Sequence, residues 1–313
     1  MRSMTSVLIV DDEPAVRDIM ARWVSSLGLQ SKTASSADEA LATEMHRDHP
    51  HTAVVIATAY TSLLDSERQP PPVADLLIKP FQRERFALAL DRGLQWRKQA
   101  LDEVRWQSVL SAEIRDRSRE ISSDLRARAT ADTEIAVLTQ MIAEAVPDVM
   151  RHGERVARFA LSVARELSLA LDARRLLELA ARFHDVGKTA MPHALLAKPS
   201  PLTSGELVIM RRHVDIGADI MMSTRTLTDL APIVRATHES FGGSGYPRRL
   251  RGGEIPLASR IITVIDAYDA MTEERQHHVA VDSGEAITEL LRCSGTQFDP
   301  DVLGAFLSVL SRH

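Results

Sequence analysis

Between Gln82 and Arg128 the chain holds no proline and one glycine, in a dense mixture of both charges. Leu90, Leu94, Leu101, Val104, Leu110, Ile114, Ile121 and Leu125 recur there at gaps mostly of 3, 4 or 7, the spacing of one face of a helix. One long helix is therefore predicted over 82–130, and it divides the chain into three parts. Its apolar stripe has two readings. It pairs with a copy of itself, making a homodimer, or it is a solvated helix laid on one of the domains.

The stretch before it, 1–81, alternates strand and helix. Ser6 to Val10 reads as a short buried strand, and Pro14 suits the first turn of a helix whose apolar residues run from Val16 to Leu27 before Gly28. A polar strand near Gln30–Ala34 follows, then a helix opened by Ser36, then buried strands at 53–59 and 74–78. This alternation predicts an α/β domain with a parallel sheet. After Thr130 the pattern is helical to the end, so 131–313 is expected to be an all-α bundle.

Composition narrows the function. A net charge of −5 provides no basic field for DNA or RNA. Aromatics at 4% leave few platforms for stacking bases. A single cysteine, Cys293, points to a reducing compartment. No apolar run approaches the roughly 20 residues that span a bilayer, and the N-terminal residues do not read as a signal peptide. A cytoplasmic protein that does not enter membranes is expected.

Asp11 and Asp12 lie at the carboxyl end of the first predicted strand, where open α/β sheets place their ligands, and paired carboxylates there suit Mg²⁺. Thr58 ends a later strand and Lys79-Pro80 another. Together these residues resemble a response-regulator receiver domain. That resemblance implies an acid pocket of Asp11 and Asp12, with Thr58 and Lys79 sensing a phosphoryl group. Too few positions separate Asp12 from Thr58 for the strand that ends in the phosphoacceptor Asp, so the phosphoacceptor is read as absent.

Eight of the eleven histidines fall within 131–313. His184-Asp185 closes an amphipathic helix, and His152, His213, His238 and Asp266 sit on other helical segments. Imidazoles and carboxylates suit iron, manganese or zinc, and bundles build metal sites from such residues on distant helices. Their order is specific. His152-Gly153-Glu154-Arg155-Val156 is followed by His184-Asp185-Val186-Gly187-Lys188, Leu202-Thr203, His213, Gly243-Ser244-Gly245-Tyr246-Pro247, Arg260 to Asp266, and Gln297-Phe298-Asp299-Pro300.

These motifs resemble the HD-GYP family of phosphohydrolases over roughly residues 133–311. The resemblance implies a helical bundle that hydrolyses a cyclic dinucleotide, usually cyclic di-GMP, to linear product through a metal-activated water in bacterial signalling. It implies a di-metal centre, with iron or manganese ahead of zinc. His152, His184, Asp185 and Asp266 would hold the first ion, Asp185 would bridge to a second, and His213 and His238 would complete that second site. Asp148 stands where members with three metals place a Glu. Lys188 would work beside Asp185 as a catalytic cation, and Gly243, Gly245, Tyr246, Pro247 and Arg275 would meet the substrate.

Several positions depart from that pattern. Thr237 replaces a histidine, which would remove a ligand and could leave one metal. Gly242 and His193 each replace an acid. His278 replaces a lysine that helps to hold the dinucleotide, and a histidine is charged only below roughly pH 6.5. The alternative these departures favour is a degenerate module that binds a cyclic dinucleotide or a signalling protein without hydrolysis.

Overall fold

The computed structural model describes residues 6–11, 13–34, 53, 55–58, 74–131, 133–274 and 280–312. The chain divides into two compact units, Met1–Trp106 and Gln107–His313.

In the first unit β1 (Ser6–Val10) pairs in parallel with β2 (Gln30–Ala34), Ser6 opposite Gln30. β3 (Val55–Thr58) pairs in parallel with β4 (Asp75–Ile78), Val55 opposite Asp75. These are two separate two-stranded ladders, which corrects the expected single sheet. Among the described residues no strand joins β1 to β3. The helix expected from Ser36 lies outside the described residues. Helix α1 (Pro14–Ser26) starts with its proline in the first turn and buries Met20 and Val24. Its Trp23 ring sits 5.5 Å from Phe86, and Phe81 stacks on Phe86 at 6.2 Å.

Helix α2 (Arg83–Arg128) is continuous over 46 residues, and the boundary between the units falls within it. Its apolar stripe is used unevenly. Leu110, Ile114 and Leu125 belong to the core of the second unit, whereas Leu101 and Val104 are 42% and 43% exposed. Over its C-terminal half, therefore, the stripe expected to pair is committed to the chain's own core. Each such Leu or Ile contributes about 1.5–3 kcal/mol by burial.

The second unit is helical: α3 (Glu134–Ala145), α4 (Pro147–Glu166), α5 (Leu171–Phe183), α6 (His193–Leu196), α7 (Ser204–Met210), α8 (His213–Met222), α9 (Ala231–Arg235), α10 (Leu257–Thr272), α11 (Ser283–Arg292) and α12 (Pro300–Leu310). A 3-10 turn at Val186–Ala190 follows α5. Helix starts are chemically marked. Thr203 Oγ1 accepts from Glu206 N while Glu206 accepts from Thr203 N at 2.8 Å, a reciprocal cap. Asp299 accepts from Asp301 N at 2.9 Å to cap α12 and is tied to Arg260 on α10 at 2.5 Å. Two motifs read from the sequence thus join as scaffold.

Two glycines set how closely the site-bearing segments approach. A Cβ on Gly153 would lie 2.2 Å from the Arg182 carbonyl oxygen, so α4 meets α5 there only without a side chain. A Cβ on Gly187 would lie 1.9 Å from the His213 carbonyl oxygen. The first contact brings His152 towards His184, and the second brings Asp185 towards His213.

Candidate metal centre

His184 caps the end of α5, and Asp185 follows before the 3-10 turn. His213 opens α8. His152 lies on α4 and Asp266 on α10. Two groups of side chains result. His152, His184 and Asp185 each present a ligand atom, all within 4.8 Å of one another, and Asp185, His213 and His238 do the same. Asp185 is common to both. Asp266 Oδ1 adjoins the first group, 3.0 Å from His152 Nε2 and 4.0 Å from His184 Nε2.

The hydrogen bonding around these groups is one-sided. His184 Nδ1 donates to the Ala181 carbonyl at 2.8 Å and His213 Nδ1 to the Met210 carbonyl at 2.8 Å. Each bond fixes the ring so that Nε2 faces the neighbouring carboxylates. Yet His184 Nε2, His213 Nε2, His238 Nε2 and Asp185 Oδ1 are buried without a hydrogen-bond partner. A buried unsatisfied polar atom costs about 1–3 kcal/mol. Four of them converging is the donor set of a cation site, and the residues fit such an ion.

For His238 and His184 the charge states agree with that use. Burial and the neighbouring His213 push the His238 pKa down to about 4, and burial lowers that of His184. Both rings are neutral near pH 7, as ligands must be. Burial opposes the charge on Asp185, but Lys188 and His184 outweigh it and hold the carboxyl well below its ordinary range. Lys188 Nζ lies 2.5 Å from Asp185 Oδ2. For His152, burial disfavours the cation, but bonds to Asp266 and Asp269 prevail and raise the pKa to about 9.

Asp269 went unrecognised in the sequence. Its carboxylate accepts from His152 Nδ1 at 2.6 Å and from Arg155 Nε and Nη2 at 2.7 and 2.9 Å. Three residues after Asp266 on one helix face, it was within reach of a spacing argument. It orients His152 as carboxylates behind metal-bound histidines do.

Other expected residues stand apart. Asp148 is 87% exposed and pairs with Arg151 at the start of α4, so the structure does not bring it to either group. In the first unit Asp11 meets Lys79 at 2.6 Å, and Asp12 lies outside the described residues. Burial works against the Asp11 charge, but Lys79 and the Glu13 amide lower its pKa. Arg275 and His278 also lie outside the described residues.

The lip over the second group is built on backbone contacts. Gly243 has φ +87°, and a Cβ on Gly245 would lie 2.2 Å from Ser240 N. Tyr246 N donates to the His238 carbonyl at 3.0 Å, and its ring stacks on the His238 ring at 5.2 Å. Pro247 follows through a cis peptide bond. Glu239 clamps the loop by accepting from Arg248 N at 2.7 Å and Leu250 N at 3.1 Å. Thr237 is buried and turns its hydroxyl to the Val234 carbonyl at 2.9 Å.

A sequence model for the HD domain matches residues 136–302, more than half of the chain and all of both groups. The chain belongs to the HD domain family. Its motifs are those of the HD-GYP kind of phosphodiesterase. The chain is 33% identical to the cyclic di-GMP phosphodiesterase response regulator RpfG of Xanthomonas campestris, over 75% of this chain and 61% of that protein. It is 37% identical to a cyclic di-GMP phosphodiesterase of Thermotoga maritima, over 51% and 44% of the two chains. A third relative, the 3'3'-cGAMP-specific phosphodiesterase 2 of Vibrio cholerae, is 35% identical over 50% and 30%. The alignments thus span less than two thirds of each relative. Among the described residues no helix is long and apolar enough to cross a membrane.

Proposed function

We propose that this HD domain hydrolyses a phosphodiester bond of a cyclic dinucleotide, cyclic di-GMP before a hybrid one, to a linear product in bacterial second-messenger signalling. The observation that carries this reading is the convergence of buried, partnerless His184 Nε2, His213 Nε2, His238 Nε2 and Asp185 Oδ1. The names of the relatives supply the substrate class.

His152, His184, Asp185 and Asp266 would hold one ion, and Asp185, His213 and His238 another, iron or manganese ahead of zinc. Bound there, such ions supply an activated water and stabilise charge developing on phosphorus. Lys188 neutralises a phosphate oxygen from beside Asp185. Gly243 and Gly245 let backbone approach the ligand, Tyr246 offers a ring and a hydroxyl, and Arg275 adds a cation. Residues 1–81 act as a receiver-like part that takes no phosphoryl group, 82–130 as a linker, and 131–313 as the HD-GYP part. The exposed Leu101 and Val104 on α2 are the remaining surface for pairing with a second copy.

Metal analysis of purified protein, followed by turnover of cyclic di-GMP with added Mn²⁺ or Fe²⁺, tests the proposal. Two bound ions and linear product are expected; no ion bound under reducing conditions would overturn it. One observation favours a second reading. Thr237 gives its hydroxyl to a carbonyl, which leaves the second group with three donors among the described residues. Cyclic di-GMP bound without product would establish a binding module.

A further inference from the structure

Arg211 differs in its partners from Lys188, Arg155 and Arg260. Lys188 is tied to Asp185, Arg155 to Asp269 and Arg260 to Asp299. Arg211 is exposed and has no carboxylate partner among the described residues. Its guanidinium lies over the Tyr246 ring, 5.0 Å from the centroid. That ring stacks on His238 at an interplanar angle of 8°. A charged group is thus held on an aromatic plate whose other contact is a candidate metal ligand.

A cyclic dinucleotide carries two phosphodiesters, and one pair of ions can neutralise only the one being cleaved. The second needs a cation beside the centre rather than within it. A guanidinium suits this because it is always charged and presents a flat fork of donors to phosphate oxygens. Stacking on Tyr246 restricts its rotamers before the ligand arrives, which lowers the entropy cost of binding. Arg211 also precedes His213 by two residues, so the backbone that places a candidate ligand places this cation too.

We propose that Arg211 is a specificity-determining residue that binds the phosphodiester not undergoing cleavage, selecting substrates with two phosphates over those with one. This rests on the reading of the HD domain as a cyclic dinucleotide phosphodiesterase.

The test uses the full chain with Arg211→Gln and Arg211→Lys. In metal-stripped protein, calorimetry should show cyclic di-GMP binding weakened about tenfold by Gln and by less by Lys, which keeps the charge but not the fork. The salt dependence of binding should flatten in the Gln variant, because one phosphate contact is gone. With Mn²⁺, the ratio of kcat/KM for cyclic di-GMP to that for bis(p-nitrophenyl) phosphate should fall about tenfold. A ratio and salt dependence equal to wild type overturn the proposal, as does a Lys variant as weak as the Gln variant. If wild-type protein neither binds cyclic di-GMP when stripped nor turns it over with Mn²⁺, the substrate reading falls with it. Normal wild-type binding with an unaltered ratio defeats the Arg211 assignment alone.

Discussion

Replacing Asp269 with Asn keeps shape and removes charge at one atom pair. The carboxylate takes three donors, His152 Nδ1 at 2.6 Å and two Arg155 nitrogens at 2.7 and 2.9 Å. An amide offers one oxygen to the three and turns its own NH₂ towards a donor. Bonds to charged groups contribute about 1.5–3 kcal/mol against roughly 1 for neutral ones. Loss of such a partner behind a metal-bound histidine typically weakens metal binding about 10–100-fold. The effect should depend on pH. In the metal-free protein His152 holds its proton up to about pH 9, partly because of Asp269. At pH 7 an incoming ion must displace that proton, at a cost on the order of 3 kcal/mol in the wild type. Asp269→Asn lowers the pKa and with it this competition. The intrinsic loss should therefore be fully visible above about pH 9 and shrink towards neutrality. Titration of stripped protein with Mn²⁺ against a competing chelator, from pH 7 upward, measures both quantities. A loss of the same size at every pH would refute the competition with the His152 proton, and no loss above pH 9 would falsify the orienting role.

Other perturbations report on separate parts of the structure. Gly187→Ala places a Cβ 1.9 Å from the His213 carbonyl oxygen, so it should cost about 1–3 kcal/mol by overpacking and release the ion shared through Asp185, seen as a lower Tm and metal content. Ile114→Ala empties a fully buried position on α2 and should cost about 2–5 kcal/mol in a denaturant melt, whereas Leu101→Ala should stay within about 0.5 kcal/mol. In chelated protein the raised His152 pKa stabilises the fold fully below about pH 6.5, and that contribution is lost as pH rises through about 9. The Tm of the stripped protein should therefore fall across this window; a Tm rising there would show that another group dominates.

The residues of the candidate metal centre were visible in the sequence because their types are unusual at helix ends and their order is specific. His184, Asp185, His213 and His238 converge as that order implies. What holds them in place was hidden. Asp269 reaches across 117 positions to His152, and Glu239 spends both oxygens on the amides of Arg248 and Leu250. Nothing in the lip loop distinguishes Glu239 from a solvated acid, and for Asp269 the spacing from Asp266 was the one clue. Glu239 follows His238 in the chain, but its loop clamp occupies both oxygens and keeps it from replacing a ligand lost at Thr237. The stripe on α2 was correctly periodic, yet periodicity does not say against what a face packs. Leu110 and Leu125 went to the core of the second unit. Strand pairing was equally hidden, because β1 and β3 carry similar apolar runs and only long-range contacts decide their neighbours.

The two groups differ in charge, and this bears on how a missing ligand is tolerated. The first joins two imidazoles to Asp185 and Asp266, and Asp269 adds a further negative charge behind His152. The second has two imidazoles and shares only Asp185. A divalent ion in the first group therefore meets more opposing charge than one in the second. Thr237 falls beside the weaker group, and its hydroxyl and carbonyl are both engaged, with Val234 and Thr263. The departure from the family's pattern is thus absorbed into hydrogen bonding within the fold rather than left as another unsatisfied group. On the proposed reading, its consequence would lie in the affinity of one ion rather than in the folding of the domain.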